Sequence, residues 1–119
     1  MSKSKPVTIY GIKACDTMKK ARAWLDAHDV AYTFHDYKVE GADKAKLEAW
    51  VADAGWESVL NRAGTTFRNL PEKDKESLTA KKAIALMLAQ PSMIKRPVLE
   101  ASGMITLGFR ADVYAKLFS

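Results

Sequence analysis

Cysteine is nearly missing from this chain: Cys15 is the only one in 119 residues. A single thiol excludes an internal disulfide, so nothing in the sequence calls for an oxidising compartment. Long apolar runs are missing too, and no segment approaches the roughly 20 residues of a membrane-spanning helix. The opening residues Met1-Ser2-Lys3-Ser4-Lys5-Pro6 carry charge but no apolar stretch, which argues against a secretory leader. The expectation is a soluble cytoplasmic protein with no membrane partner. The formal net charge is +5, yet basic and acidic residues are interspersed. Adjacent basic pairs occur at Lys19-Lys20, Lys81-Lys82 and Lys95-Arg96, without a basic stripe carrying interleaved aromatics. Nucleic acid is therefore not an expected partner, although small anions gain a mild attraction. Phosphate-cradling glycine loops, zinc spacings, internal repeats and low-complexity segments are all absent. No bound cofactor or metal is anticipated. His28 and His35 have no sequence partners for a triad or a metal site.

What the chain does have is a regular alternation of elements, at a length suited to one domain over residues 1–119. Lys5 to Tyr10 is short, β-branched and followed by Gly11, as a first strand would be. Asp16 to His28 places Met18, Ala21 and Leu25 on one helical face, with Trp24 beside them. Ala31 to Tyr37 is aromatic and suits a strand. Asp43 to Ala54 has helical spacing in Leu47, Trp50, Val51 and Ala54, with Gly55 as a stop. Asn61 to Pro71 is rich in turn and polar residues and suits a loop. Thr79 caps a helix with Ala80, Ala83, Ile84, Met87 and Leu88 on its apolar face, ended by Pro91. Val98–Ala101 and Met104–Leu107 suit a hairpin through Ser102-Gly103, and Ala111 to Phe118 a closing helix.

The first three elements form a βαβ unit and the last three a hairpin with a helix. Joined in one four-stranded mixed sheet, they give an α/β, thioredoxin-like fold. Residues 1–42 and 91–119 would form its core, and residues 43–90 a helical insertion.

Cys15 sits between the first strand and the first helix. A sulfur there lies over backbone N–H groups that favour a thiolate, the form that attacks disulfides. The same position suits a small buried hydrophobe, because free cysteine is among the most buried residue types. The energetics set a condition on the reactive reading. Bringing a thiol down from about 8.5 by about two pH units takes about 2.7 kcal/mol. A helix start supplies about 0.3–2 kcal/mol, so nearby cations are required. Lys13 is two residues away in sequence, and Arg96 and Arg110 are the distant candidates. Arg96-Pro97 opens a predicted strand, at the place where thioredoxin folds commonly carry a cis-proline facing the nucleophile; an ordinary trans proline starting an edge strand suits the position equally. The run Cys15-Asp16-Thr17-Met18 lacks the second cysteine of a Cys-x-x-Cys pair, so a disulfide at Cys15 must involve another molecule.

The segment Gly11-Ile12-Lys13-Ala14-Cys15-Asp16-Thr17-Met18-Lys19-Lys20-Ala21 resembles the arsenate-reductase-like (ArsC) family. It looks most like the short YffB-type subgroup, which shares the Gly-Ile-x-x-Cys-Asp-Thr pattern. Leu86 to Pro91 with Ile94 to Leu99 is similar to the family's second signature, and Asn61 to Arg68 to a YffB-type loop. The resemblance implies a thioredoxin-like fold with a helical insertion and a cysteine that attacks an oxyanion or a mixed disulfide. Of three arginines around that cysteine in arsenate reductases, Arg96 matches the one before the cis-proline and Arg110 the last. The first falls at Asn61 here, with Arg62 one position later, and Asp16 stands where arsenate reductases usually carry glycine.

The resemblance implies a glutathione-dependent mono-cysteine thiol/disulfide reductase, with Cys15 as nucleophile and Arg96 beside it. Lys13, Asn61, Arg62, Pro97 and Arg110 are the expected substrate contacts. Glutathione is the expected co-substrate and glutaredoxin a further partner. Arsenate reduction is the second reading. The third follows the family's Spx regulators, which bind the α subunit of RNA polymerase and usually carry a Cys-x-x-Cys switch that Met18 removes here.

Overall fold

The computed structural model describes residues 7–13, 15–101 and 103–118. The expected strand start at Lys5 and the turn residue Ser102 lie outside the described residues. The chain divides into two compact units, residues 1–36 with 96–119 and residues 37–95.

The first unit holds a four-stranded sheet of β1 (Val7–Gly11), β2 (Thr33–Asp36), β3 (Val98–Ala101) and β4 (Met104–Leu107), in the order β2-β1-β3-β4. Strand β1 runs parallel to β2, with Ile9 opposite Phe34, and antiparallel to β3, with Ile9 opposite Leu99. A parallel pair needs a crossover, which α1 (Asp16–Ala27) supplies. The hairpin β3–β4 sets Val98 opposite Leu107, and Gly103 takes the positive φ of 75° that its turn requires.

One face of this sheet is closed by α1 and the last helix α8 (Ala111–Leu117). Ile9, Met18, Ala21, Leu25, Leu99 and Tyr114 form the buried cluster, flanked by Trp24, Val30, Phe34, Phe109 and Phe118. Helix α1 ends where its sequence turns polar. Asp29 takes φ 59°, and the N–H groups of Asp29 and Val30 donate back to the carbonyls of Asp26 and Leu25 at 3.2 and 3.0 Å. That is a Schellman closure with an aspartate at the left-handed position, which aspartate tolerates better than most residues.

The second unit is helical: α2 (Tyr37–Glu40), α3 (Lys44–Ala54), α4 (Trp56–Val59), α5 (Thr65–Arg68), α6 (Glu72–Lys75) and α7 (Ala80–Ala89), then a 3₁₀ turn at Pro91–Met93. Asp43 caps α3 by accepting from the Ala45 N–H at 3.1 Å, and Thr79 caps α7 by accepting from the Lys82 N–H at 3.2 Å. A short antiparallel bridge ties Leu60 to Ile94. Lys95 N–H donates to Val59 at 2.8 Å and Asn61 N–H to Met93 at 2.7 Å.

Two local expectations are corrected. Asn61 to Pro71 is not all loop, because Gly64 opens one helical turn at Thr65–Arg68, with Phe67 buried. Tyr37 does not extend β2; it opens α2 and belongs to the second unit. The sheet is α/β and mixed, with the helical unit inserted in sequence between β2 and β3.

Candidate active site

Strand β1 ends at Gly11, and the chain turns at once, with Cys15 N–H donating to the Ile12 carbonyl at 3.1 Å. Cys15 is the N-cap residue of α1, extended at φ −76°, ψ 130°, and its carbonyl accepts the first helical bond from Lys19 at 3.0 Å. The helix starts here because Asp16 supplies a favourable charge to the first turn and Met18 begins the buried face. The turn is held tightly from below. Met18 is fully buried, and its thioether lies against Gly11 where a side-chain carbon would stand. Its Cε and Cγ atoms would be only 2.8 and 2.9 Å from such a carbon, so glycine is required for close approach.

The sulfur is half-buried. Burial pushes the Cys15 thiol up. The Met18 N–H, the Arg96 guanidinium and the Thr17 N–H, each in hydrogen-bonding contact with the sulfur, outweigh it together with the Arg96 charge. The net effect holds the thiol below its ordinary value. The sulfur closes no capping hydrogen bond of strict geometry. Sulfur is a large, weak acceptor, so these contacts act mainly by favouring its negative charge.

Arg96 reaches this point from the segment entering β3. The Arg96–Pro97 bond is cis, Pro97 is buried, and the Pro97 carbonyl accepts from the Gly108 N–H at 2.9 Å. Cys15 and Arg96 are thus brought together from sequence positions far apart. Lys13 is exposed and is not among the groups acting on the sulfur. Arg110 is turned elsewhere: its guanidinium binds Asp112 at 3.2 Å, and its side chain is 75% exposed. An acid two residues away in the first turn of α8 captures it. Asn61 and Arg62 belong to the second unit. There the Asn61 amide lies against Gly64, and the Arg62 guanidinium sits over the Trp56 ring, 5.6 Å from its centre. Asp16 is exposed.

The individual amides of Thr17 and Met18 were not singled out by sequence reasoning. Their signal is the N-cap position of Cys15, since an N-cap side chain meets the N–H groups of the second and third helical residues. Among the described residues no group of three or more histidine, cysteine, aspartate or glutamate side chains could hold a metal. None of their helices is long and apolar enough to cross a membrane.

The model of the ArsC family matches residues 10–117, spanning both units and the whole Cys15–Arg96 site. This chain belongs to the ArsC family. Within that family it is similar to the YffB protein of known structure. That likeness is 62% identity and a TM-score of 0.93, covering 95% of this chain and 99% of that one. It is 55% identical to an arsenate reductase (ArsC) related protein from Brucella melitensis, with a TM-score of 0.78 over 100% of this chain and 99% of that one. The global transcriptional regulator Spx of Streptococcus mutans is 27% identical over 108 residues, 89% of this chain and 78% of that protein. The ArsC family therefore joins arsenate-reductase-like proteins and regulators on one fold, the thioredoxin-like one described above.

Proposed function

We propose that this ArsC-family protein is a glutathione-linked, mono-cysteine thiol/disulfide reductase. One observation carries the reading: a lone, half-buried cysteine whose thiolate is favoured by two helix-start amides and the Arg96 guanidinium. A lowered thiol is the nucleophilic form at neutral pH. With no second cysteine in the chain, the partner sulfur must come from another molecule.

The cycle balances in two exchanges. The Cys15 thiolate attacks the glutathione sulfur of a mixed disulfide R–S–S–G. A Cys15–S–S–G bond forms and RS⁻ leaves, taking a proton from water. A glutathione thiolate then attacks the glutathione sulfur of that adduct, releasing oxidised glutathione and restoring the Cys15 thiolate. Overall one glutathione thiol is oxidised and one R–S group is reduced to a thiol; the second glutathione of the product disulfide is the one that entered in R–S–S–G. Arg96 holds Cys15 anionic before attack and stabilises it again as the leaving group of the second exchange. No bound cofactor is needed; glutathione is the co-substrate, with glutaredoxin as an alternative donor in the second exchange. Exposed Lys13 would meet the carboxylates of glutathione, and Arg110 would do so by exchanging its bond to Asp112. The backbone around Pro97 would border the bound peptide. A glutathione pool of this kind suits a cytoplasmic protein.

The test supplies the purified protein with glutathione and either the mixed disulfide of glutathione with 2-mercaptoethanol or arsenate. Turnover of the mixed disulfide with little arsenate reduction is expected. Asp16 adds a negative charge beside Cys15, and Asn61 supplies none of the positive charge an arginine would bring to an anionic substrate. Arsenate turnover dominating would give the second reading. Silence in both, with capture of the RNA polymerase α subunit, would give the regulator reading.

A further inference from the structure

Gly108 lies far in sequence from Cys15 and carries no chemistry of its own, but the sheet gives it a particular task. Strand β4 ends at Leu107, whose ladder partner is Val98. At the next rung Gly108 N–H donates to the Pro97 carbonyl at 2.9 Å. The reciprocal bond of that rung cannot form, because proline has no N–H. That one donor therefore carries the whole rung.

Gly108 reaches this geometry at φ 75°, a left-handed torsion open to glycine at no steric cost and unfavourable for side chains branched at Cβ. It cannot relax to either side. Leu107 is held by the ladder. Phe109 is packed on the core, its ring edge-on to Tyr114 at 4.8 Å between centres.

We propose that Gly108 is a positioning residue for Arg96: its left-handed turn aims one N–H at the Pro97 carbonyl, and that bond fixes the backbone from which Arg96 reaches Cys15. The inference rests on the Arg96-held thiolate of the proposed function and not on turnover. It predicts that Gly108 acts on Cys15 only through Arg96. A glycine that merely shapes a turn would affect stability and leave Cys15 alone.

The experiment measures the pH dependence of Cys15 alkylation by iodoacetamide in the full chain. The variants are Gly108→Val, Gly108→Asn, Arg96→Ala and the double variant Arg96→Ala/Gly108→Val, each checked for a folded spectrum and a cooperative melt. Gly108→Val is expected to move the alkylation midpoint upward, about two- to fivefold in proton concentration, as partial loss of one charge-assisted contact would. Gly108→Asn, the substitution that best tolerates a left-handed torsion, should keep the midpoint near that of the parent protein. In the Arg96→Ala background the Gly108→Val effect should vanish, because the cycle isolates the pairwise coupling. An unmoved midpoint in a folded Gly108→Val protein overturns the proposal. So does a shift of equal size with and without Arg96. Should Gly108→Val fail to fold, Gly108→Ala takes its place in the same cycle, with the same expectations. The midpoint is read without any disulfide substrate, so absent turnover with an intact midpoint cycle would sink the reductase and leave the positioning role standing.

Discussion

Replacing Arg96 is the sharpest perturbation of the Cys15 site. Its guanidinium acts on the sulfur twice, by a hydrogen bond and by its charge, against the burial that opposes a thiolate. A hydrogen bond to a charged group contributes about 1.5–3 kcal/mol when shielded from water. Cys15 is only half-buried, so solvent screening reduces this to about 0.5–1.5 kcal/mol. At about 1.4 kcal/mol per tenfold, Arg96→Ala should raise the Cys15 midpoint about two- to twelvefold in proton concentration. Arg96→Lys keeps the charge but loses the planar fork, so it should recover only part of the difference. Alkylation rates across pH, on proteins with matched melts, read the midpoint directly. Arg110→Ala is the control: its exposed guanidinium is held by Asp112, and its midpoint should match the parent protein. If Arg96→Ala leaves the midpoint unmoved, an arginine-held thiolate is the wrong mechanism. The Thr17 and Met18 amides would then account for all of the lowering.

Three further outcomes follow from the packing. Gly11→Ala drives a methyl into the Met18 side chain and should cost about 1–3 kcal/mol by overpacking, read as a lower melting temperature; an unchanged melt would refute the close approach. Tyr114 is fully buried, burial pushes its phenol up, and its hydroxyl has no hydrogen-bond partner among the described residues. Tyr114→Phe should therefore leave stability unchanged or raise it by about 1–3 kcal/mol, and a clear loss would reveal a partner. The lowered Cys15 thiol ties stability to pH: the contribution is complete above the thiol's unfolded value and is lost as pH falls through the folded one. The melting temperature of the parent protein relative to Cys15→Ser should thus rise on going from neutral pH to about pH 9; a flat difference would contradict a lowered thiol.

The main elements were legible because their signals are local. Met18, Ala21 and Leu25 announce α1 by spacing alone, and the same three side chains are buried in the fold. Thr79 is a cap in sequence and in structure, whereas Asp43, which the spacing places at the start of its helix, is the cap before it. The one-turn helices α2, α4, α5 and α6 were not legible. Four residues carry too little periodicity to separate from a polar loop, and it takes glycine or proline breaks such as Gly55, Gly64 and Pro71 to start them. At the site, the N-cap place of Cys15 and the approach of Arg96 could be anticipated from the βαβ pattern and the Arg96-Pro97 pair. The direction of Arg110 could not, because Asp112 decides it through a contact that spacing alone does not rank above others. Gly108 was invisible for a related reason: its role depends on a ladder rung opposite Pro97, and register is a property of the assembled sheet.

The central claim is that one cysteine carries the whole exchange with an external thiol. Mass spectrometry of the intact protein tests it most directly. Exposure to the glutathione mixed disulfide should add a single glutathione unit, on Cys15, and added glutathione should remove it as oxidised glutathione accumulates. Cys15→Ser should show neither the adduct nor turnover. An adduct that glutathione fails to clear, or turnover that survives Cys15→Ser, would contradict the account.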